Sequence, residues 1–225
     1  MSIAAEADFA TQRQTMVDCQ ICTFDVTDPV VIDRFLAVPR ERFLPSHLQA
    51  LAYSDATLEI RAAQETRVLL APLVLARMMQ GAGLVATDRV LDVAGAAGYS
   101  AALLAGLARD VVSLESDAAL SAQAAANFAA AGLTNAHAVA GALDASSVSG
   151  SFDLIFVNGA VEDGLDALLA KLTAGGRLIA IQMIAGHAGK VTRFEKVGSE
   201  TSRRVLFNAA APVLSAFAAR KSFVF

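Results

Sequence analysis

The chain has 225 residues, 55% of them hydrophobic, with a mean hydropathy of +0.51 and a formal net charge of −4. This supports one large α/β domain with an appendage, and the acidic balance without a basic block argues against nucleic acid or an anionic membrane as partner. The start, MSIAAEADFA, lacks a basic region before an apolar core, so no signal peptide is expected. The longest stretch free of charge, 118–143, is alanine-rich and broken by Gln123, Asn127, Gly132, Asn135 and His137, unlike a membrane span.

Glu6–Ile21 reads as a helix with Phe9, Met16 and Val17 on its apolar stripe. Cys19 and Cys22 form a lone C-x-x-C without a second pair or a strand–helix context, which predicts two reduced thiols and a cytoplasmic protein. Thr27 or Asp28 can cap a short helix over Val30–Ala37, with Pro29 in its first turn. VPRERFLP follows at 38–45, then Tyr53-Ser54-Asp55. Residues 1–60 show no strand–helix alternation and read as a helical appendage to a unit spanning 61–225. Arg61–Val68 is polar and reads as a loop, and Leu69–Gln80 as an apolar helix begun near Pro72.

From residue 88 strands and helices alternate. Strands are expected at Arg89–Val93, Asp110–Leu114, Ala136–Ala140, Asp153–Val157 and Arg177–Met183. Helices are expected from Tyr99, over Asp117–Ala131 with Gly132 closing it, and over Glu162–Leu172 before a turn at 174–176. Lys190–Val197, Arg203–Asn208 and Lys221–Phe225 read as extended segments. The alternation implies a doubly wound, mostly parallel sheet of the Rossmann-like type.

The functional signal is DRVLDVAGAAGYS, Asp88–Ser100: a buried strand, a small-residue turn and a helix start, the first unit of a nucleotide-binding sheet. Glu115 ends the next strand 23 residues after Asp92, near the spacing of an acid that hydrogen-bonds a ribose. Asp92, Gly95, Gly98, Glu115 and Asn158 are therefore expected around one pocket at the carboxyl ends of the strands. Each has a plainer alternative: Asp92 as a strand-end cap, Glu115 as a solvated acid, Gly98 as a packing glycine. Tyr99 flanks the ligand or joins the core, and Asn158-Gly159 ends the fourth strand. His47, His137 and His187 have no ligand spacing, so no metal is expected. Ser100 lacks a nucleophile-elbow pattern.

Taken together, MVDCQI (16–21), VPRERFLP followed by AYSD (52–55), APLVLARMM (71–79), VLDVAGAAGYSAALLA (90–105), FDLIFVNGAVEDGLDALLAKLTAGGRLIAI (152–181) and FNAAAPVLSAF (207–217) resemble the protein-L-isoaspartate O-methyltransferase family, in a divergent bacterial branch. The resemblance spans nearly the whole chain. It implies methyl transfer from S-adenosylmethionine to the free carboxylate of isoaspartyl residues in proteins. Such a carboxylate is ionised at neutral pH, so no strong base is required, and catalysis rests on positioning.

Three segments depart from the family pattern. The glycines of its turn fall on Ala94, Ala96 and Gly98 after Asp92, and a methyl group at either alanine disfavours positive φ. The acid expected to hold the adenine amine falls on Ala142, which has no acceptor, with Asp144 two positions away. The substrate segment becomes QETRVLLAP, 64–72, where Thr66 is the nearest hydroxyl; Asp55 in AYSD is expected either near the substrate mouth or as the cap of a turn. These losses predict weak binding of S-adenosylmethionine. They leave two readings: a carboxyl methyltransferase with a relaxed cofactor site, or a catalytically silent relative that binds another nucleotide-like ligand or a protein partner.

Overall fold

The computed structural model describes residues 3–61, 66–184 and 187–219. Helix α1 (Ile3–Met16) runs into a wider π-helical turn, Val17–Ile21, that buries Val17 and Ile21, so the expected single helix changes pitch at its end. In α2 (Pro29–Ala37) the Asp28 side chain accepts a hydrogen bond from the Val30 N–H and proline opens the first turn. Short 3₁₀ turns at Arg40–Phe43 and Ser46–Leu51 follow, each preceded by a proline.

The expected loop at 61–68 is corrected. Its described residues belong to an antiparallel hairpin, β1 (Leu58–Arg61) with β2 (Thr66–Leu69), in which Leu58 faces Leu69 and Arg61 faces Thr66. Four residues per strand give too short an alternation to stand out from polar neighbours. Residue 60, the expected boundary of the appendage, lies inside β1.

The remaining elements are α3 (Pro72–Ala82), β3 (Arg89–Val93), α4 (Tyr99–Ala105), β4 (Asp110–Glu115), α5 (Ala118–Ala130), β5 (Ala136–Ala140), β6 (Phe152–Val161), α6 (Asp166–Ala170), β7 (Leu172–Gln182), β8 (Lys190–Val197) and β9 (Glu200–Asn208). Asp117 caps α5 by accepting from the N–H groups of Ala119 and Leu120. The helix expected over 162–172 shrinks to α6, because Gly164 takes φ +80° just before it. The turn expected at 174–176 is absorbed into the start of β7, with Gly175 at φ +74°. Lys221–Phe225 lies outside the described residues.

Seven strands form one sheet in the order β5-β4-β3-β6-β7-β8-β9. β5, β4, β3, β6 and β7 are parallel, and β8 and β9 return antiparallel at the edge. Successive connections run outward from β3 in opposite directions, so the strand order reverses between β3 and β6. A crevice for a ligand is expected outside the carboxyl ends there. One apolar cluster joins the N-terminal helices to α3, α4 and one sheet face; a second lines the other face with Leu168, Leu214 and Phe217. Among the described residues no helix is long and apolar enough to cross a membrane.

Candidate functional site at the carboxyl ends of β3, β4 and β6

The turn after β3 is held by hydrogen bonds to β4 and within itself. The Ala94 N–H donates to the Leu114 carbonyl at 2.9 Å, and the Gly98 N–H to the Gly95 carbonyl at 2.9 Å. Ala94 and Ala96 both sit in the left-handed region, at φ +58° and +52°, as does Gly98 at +91°. Both alanines thus hold a conformation that glycine adopts freely, at a cost of about 1–2 kcal/mol each. Gly95 has a different constraint, because a Cβ there would collide with the Asp92 carboxylate and the Ser100 hydroxyl.

Asp92 is fully buried and bridges two elements. One carboxylate oxygen accepts from the Ser100 hydroxyl of α4 at 2.9 Å, the other from the Asn158 amide of β6 at 2.8 Å. Asn158 also donates to the Val93 carbonyl at 3.1 Å. Burial pushes the Asp92 carboxyl up to about 7, with the Ser100 and Asn158 hydrogen bonds pulling the other way.

Glu115 ends β4 beside the turn, and its carboxylate is already occupied. Arg67 of β2 donates from Nε to both oxygens, at 2.9 and 3.1 Å, and from Nη2 to the Ser116 hydroxyl at 2.5 Å. The N–H groups of Ala96, Ser116 and Asp117 donate to the Glu115 carboxylate at 3.2, 2.7 and 3.2 Å, and the Ser116 hydroxyl at 3.4 Å. Both side chains of the pair are 1% exposed. Sequence reasoning does not single out Arg67. The available signal is weak: Arg67 closes the polar stretch 64–67, directly before the apolar run that leads to Pro72.

A model of the protein-L-isoaspartate(D-aspartate) O-methyltransferase family matches residues 11–210. The chain belongs to that family. It is 36% identical over 172 residues to protein-L-isoaspartate O-methyltransferase of Methylorubrum extorquens (strain PA1), covering 76% of this chain and 74% of the relative. It is 40% identical over 127 residues to protein-L-isoaspartate O-methyltransferase 1 of Rhodopseudomonas palustris (strain HaA2), a stretch that spans 56% of this chain and about half, 51%, of that relative. A solved protein-L-isoaspartate O-methyltransferase superposes with a TM-score of 0.79 at 24% identity, over 90% of this chain and 66% of that one. A second, described as a candidate enzyme of this kind from Plasmodium falciparum in complex with S-adenosyl-L-homocysteine, gives 0.75 at 16% identity over 91% and 98%. At these identities the structures show the shared fold.

Within the family frame the remaining candidates separate. Gly98 lies under Phe128 of α5: a Cβ there would stand 2.6 Å from the ring, so the glycine serves helix packing. The Tyr99 ring is buried against Phe35 and Phe43, 5.0 Å below the Arg40 guanidinium. Ala142 is exposed and offers no acceptor side chain. Gly159 is covered by Leu214, whose side chain a Cβ at 159 would meet at 2.7 Å. Thr66 is exposed on β2, on the strand face opposite to buried Arg67, so its hydroxyl is not brought to Glu115. Asp55 is exposed in the bend after Tyr53.

Residues 91–105 are all buried, the Glu115 carboxylate is engaged by Arg67, and Ala94 shares an apolar cluster with Leu143 and Leu214.

Proposed function

We propose that this chain is a protein carboxyl methyltransferase that uses S-adenosylmethionine to esterify the free carboxylate of isoaspartyl residues in damaged proteins. The observation that carries the reading is the turn itself. Ala94, Ala96 and Gly98 keep three left-handed residues at the point where the strand order reverses. A chain free of any need for this corner would relax two strained alanines. The family match and the S-adenosyl-L-homocysteine held by the structurally similar Plasmodium protein support the same choice.

Asp92, the backbone of Ala94–Gly98, Glu115 and Asn158 are the cofactor-side candidates, and Asp55 and Thr66 the candidates on the acceptor side. The acceptor carboxylate is ionised at neutral pH, so no base in the chain has to activate it. The exposed, unbridged thiols of Cys19 and Cys22 accord with work in the cytoplasm.

The test is transfer of labelled methyl from S-adenosylmethionine to a synthetic peptide carrying one isoaspartyl residue, beside its aspartyl isomer. Label released by mild base from the isoaspartyl peptide alone is expected. No incorporation into either peptide by folded protein at millimolar S-adenosylmethionine would overturn the reading in favour of a silent relative.

A further inference from the structure

We propose that Arg67 is an internal occupant of the cofactor corner. Its guanidinium takes the Glu115 carboxylate that a ribose diol would take, and a nucleoside ligand binds only when Arg67 has left. The inference rests on the methyltransferase reading above and concerns the regulation of that same site.

Glu115 has no acceptor capacity to spare. A carboxylate offers about four lone-pair positions. Its Oε1 receives Arg67 Nε and the N–H groups of Ser116 and Asp117, and its Oε2 receives Arg67 Nε and the Ala96 N–H. The three backbone donors belong to the turn and the strand end, so they come with the fold. Arg67 is the one side-chain contribution in this set from outside the corner, and it crosses 48 residues of chain to make it. Ser116 fixes the far end of the guanidinium.

Stability alone does not require an ion pair at this place, although removing one partner of it is costly. A buried ion pair is often no better than well-packed apolar residues of the same volume. Arg67 is itself buried, and the apolar run Val68-Leu69-Leu70 that follows it is buried as well. The hairpin that carries it is pinned at its base. Arg40 donates from Nη2 to the Leu70 carbonyl at 2.9 Å, and the Ala71 N–H donates to the Thr57 hydroxyl at 3.2 Å. Opening therefore falls to the Arg67 side chain, by exchange of one carboxylate partner for another donor, and not to the hairpin as a body.

The population of the open form then scales the apparent affinity. An open form present at about 1–10% weakens binding about ten- to a hundredfold. Arg67→Gln removes the charge and shortens the reach. Arg67→Lys keeps a cation on Glu115. Calorimetric titration of S-adenosylhomocysteine into the intact chain and these variants tests the inference, with ligand-free melting curves measured alongside. Arg67→Gln is expected to bind about ten- to a hundredfold more tightly than the natural chain while melting at a lower temperature, a pair of opposite changes that a merely structural residue would not produce. Arg67→Lys is expected to stay within about threefold of the natural chain. Ser116→Ala, which leaves no bare charge, serves if Arg67→Gln does not fold, with a gain of about threefold expected. Equal affinity of the natural chain and the folded variants overturns the inference and leaves the methyltransferase reading intact. No binding by any folded form at millimolar ligand overturns both.

Discussion

Two buried arginine–carboxylate pairs stand at opposite ends of the same sheet. At the amino ends, Arg177 of β7 reaches Asp88 before β3 through Nη2 at 2.5 Å and Nη1 at 3.3 Å. It also donates to the carbonyls of Ala82, Gly83 and Asp153 at 2.8, 2.6 and 3.2 Å. That guanidinium closes the end of α3 and ties three elements together. At the carboxyl ends, Arg67 meets Glu115 in the crevice region, beside a turn of left-handed residues. The chemistry of the pairs is the same, and their place in the fold separates a staple from a plug. An open parallel sheet places its ligand outside the carboxyl ends of its strands, so a buried ion pair there stands where a ligand is expected, and one at the other end does not.

The largest expected effect breaks the staple. Arg177→Ala strands the buried Asp88 and leaves carbonyls of α3 unpaired, and should cost about 3–5 kcal/mol in denaturant unfolding. If the comparison is right, S-adenosylhomocysteine affinity of the folded variant changes little, in contrast to Arg67→Gln.

Asp92 sharpens the view of the carboxyl end through pH. Its carboxyl is raised by burial to about 7 in the folded chain, against the ordinary value of 3.8. Between these values the unfolded chain is ionised while the folded chain keeps its proton, so this group's stabilising contribution is present below about pH 4 and is lost as pH rises through 7. Asp92→Asn removes the loss. Its stability relative to the natural chain should climb by up to about 4 kcal/mol from pH 4 to pH 8, read as paired melting curves. A constant difference across that range would contradict a protonated, buried Asp92.

Gly98→Ala combines positive φ with a clash on Phe128 and should cost about 2–3 kcal/mol. Gly132→Ala, at φ +66° with open space around its Cβ, should cost about 1 kcal/mol. Ala96→Gly should have the smallest effect. It relieves a left-handed alanine and loosens the unfolded chain by similar amounts, so its stability should stay within about 1 kcal/mol of the natural chain.

That last case shows where the sequence was legible. The strands of the parallel sheet stand out as apolar runs, and Asp92, Glu115 and Asn158 stand out as polar residues in or at the end of those runs; β6 runs on past Asn158 to Val161, so the expected strand end at Asn158-Gly159 is corrected. The structure brings Asp92 to Asn158 at 2.8 Å and Glu115 to the Ala96 N–H at 3.2 Å. The conformation of Ala94 and Ala96 was not legible. Residue preference points away from positive φ, and the hydrogen bonds from Ala94 to Leu114 and from Ala96 to Glu115 override it. The hairpin was hidden by its four-residue strands. Arg67 was hidden for a different reason: periodicity says which face a residue takes within its own strand, and nothing about the acid 48 positions later that it meets.

The claim that Arg67 closes the corner is tested most directly on the Arg67 Nε–H proton itself, by NMR of the natural chain with and without saturating S-adenosylhomocysteine. In the free protein this proton should be shielded from solvent exchange by its bond to Glu115, and it should lose that protection and shift as ligand binds. A resonance that keeps its position and protection at full saturation would show that ligand and arginine do not compete, and would contradict the plug.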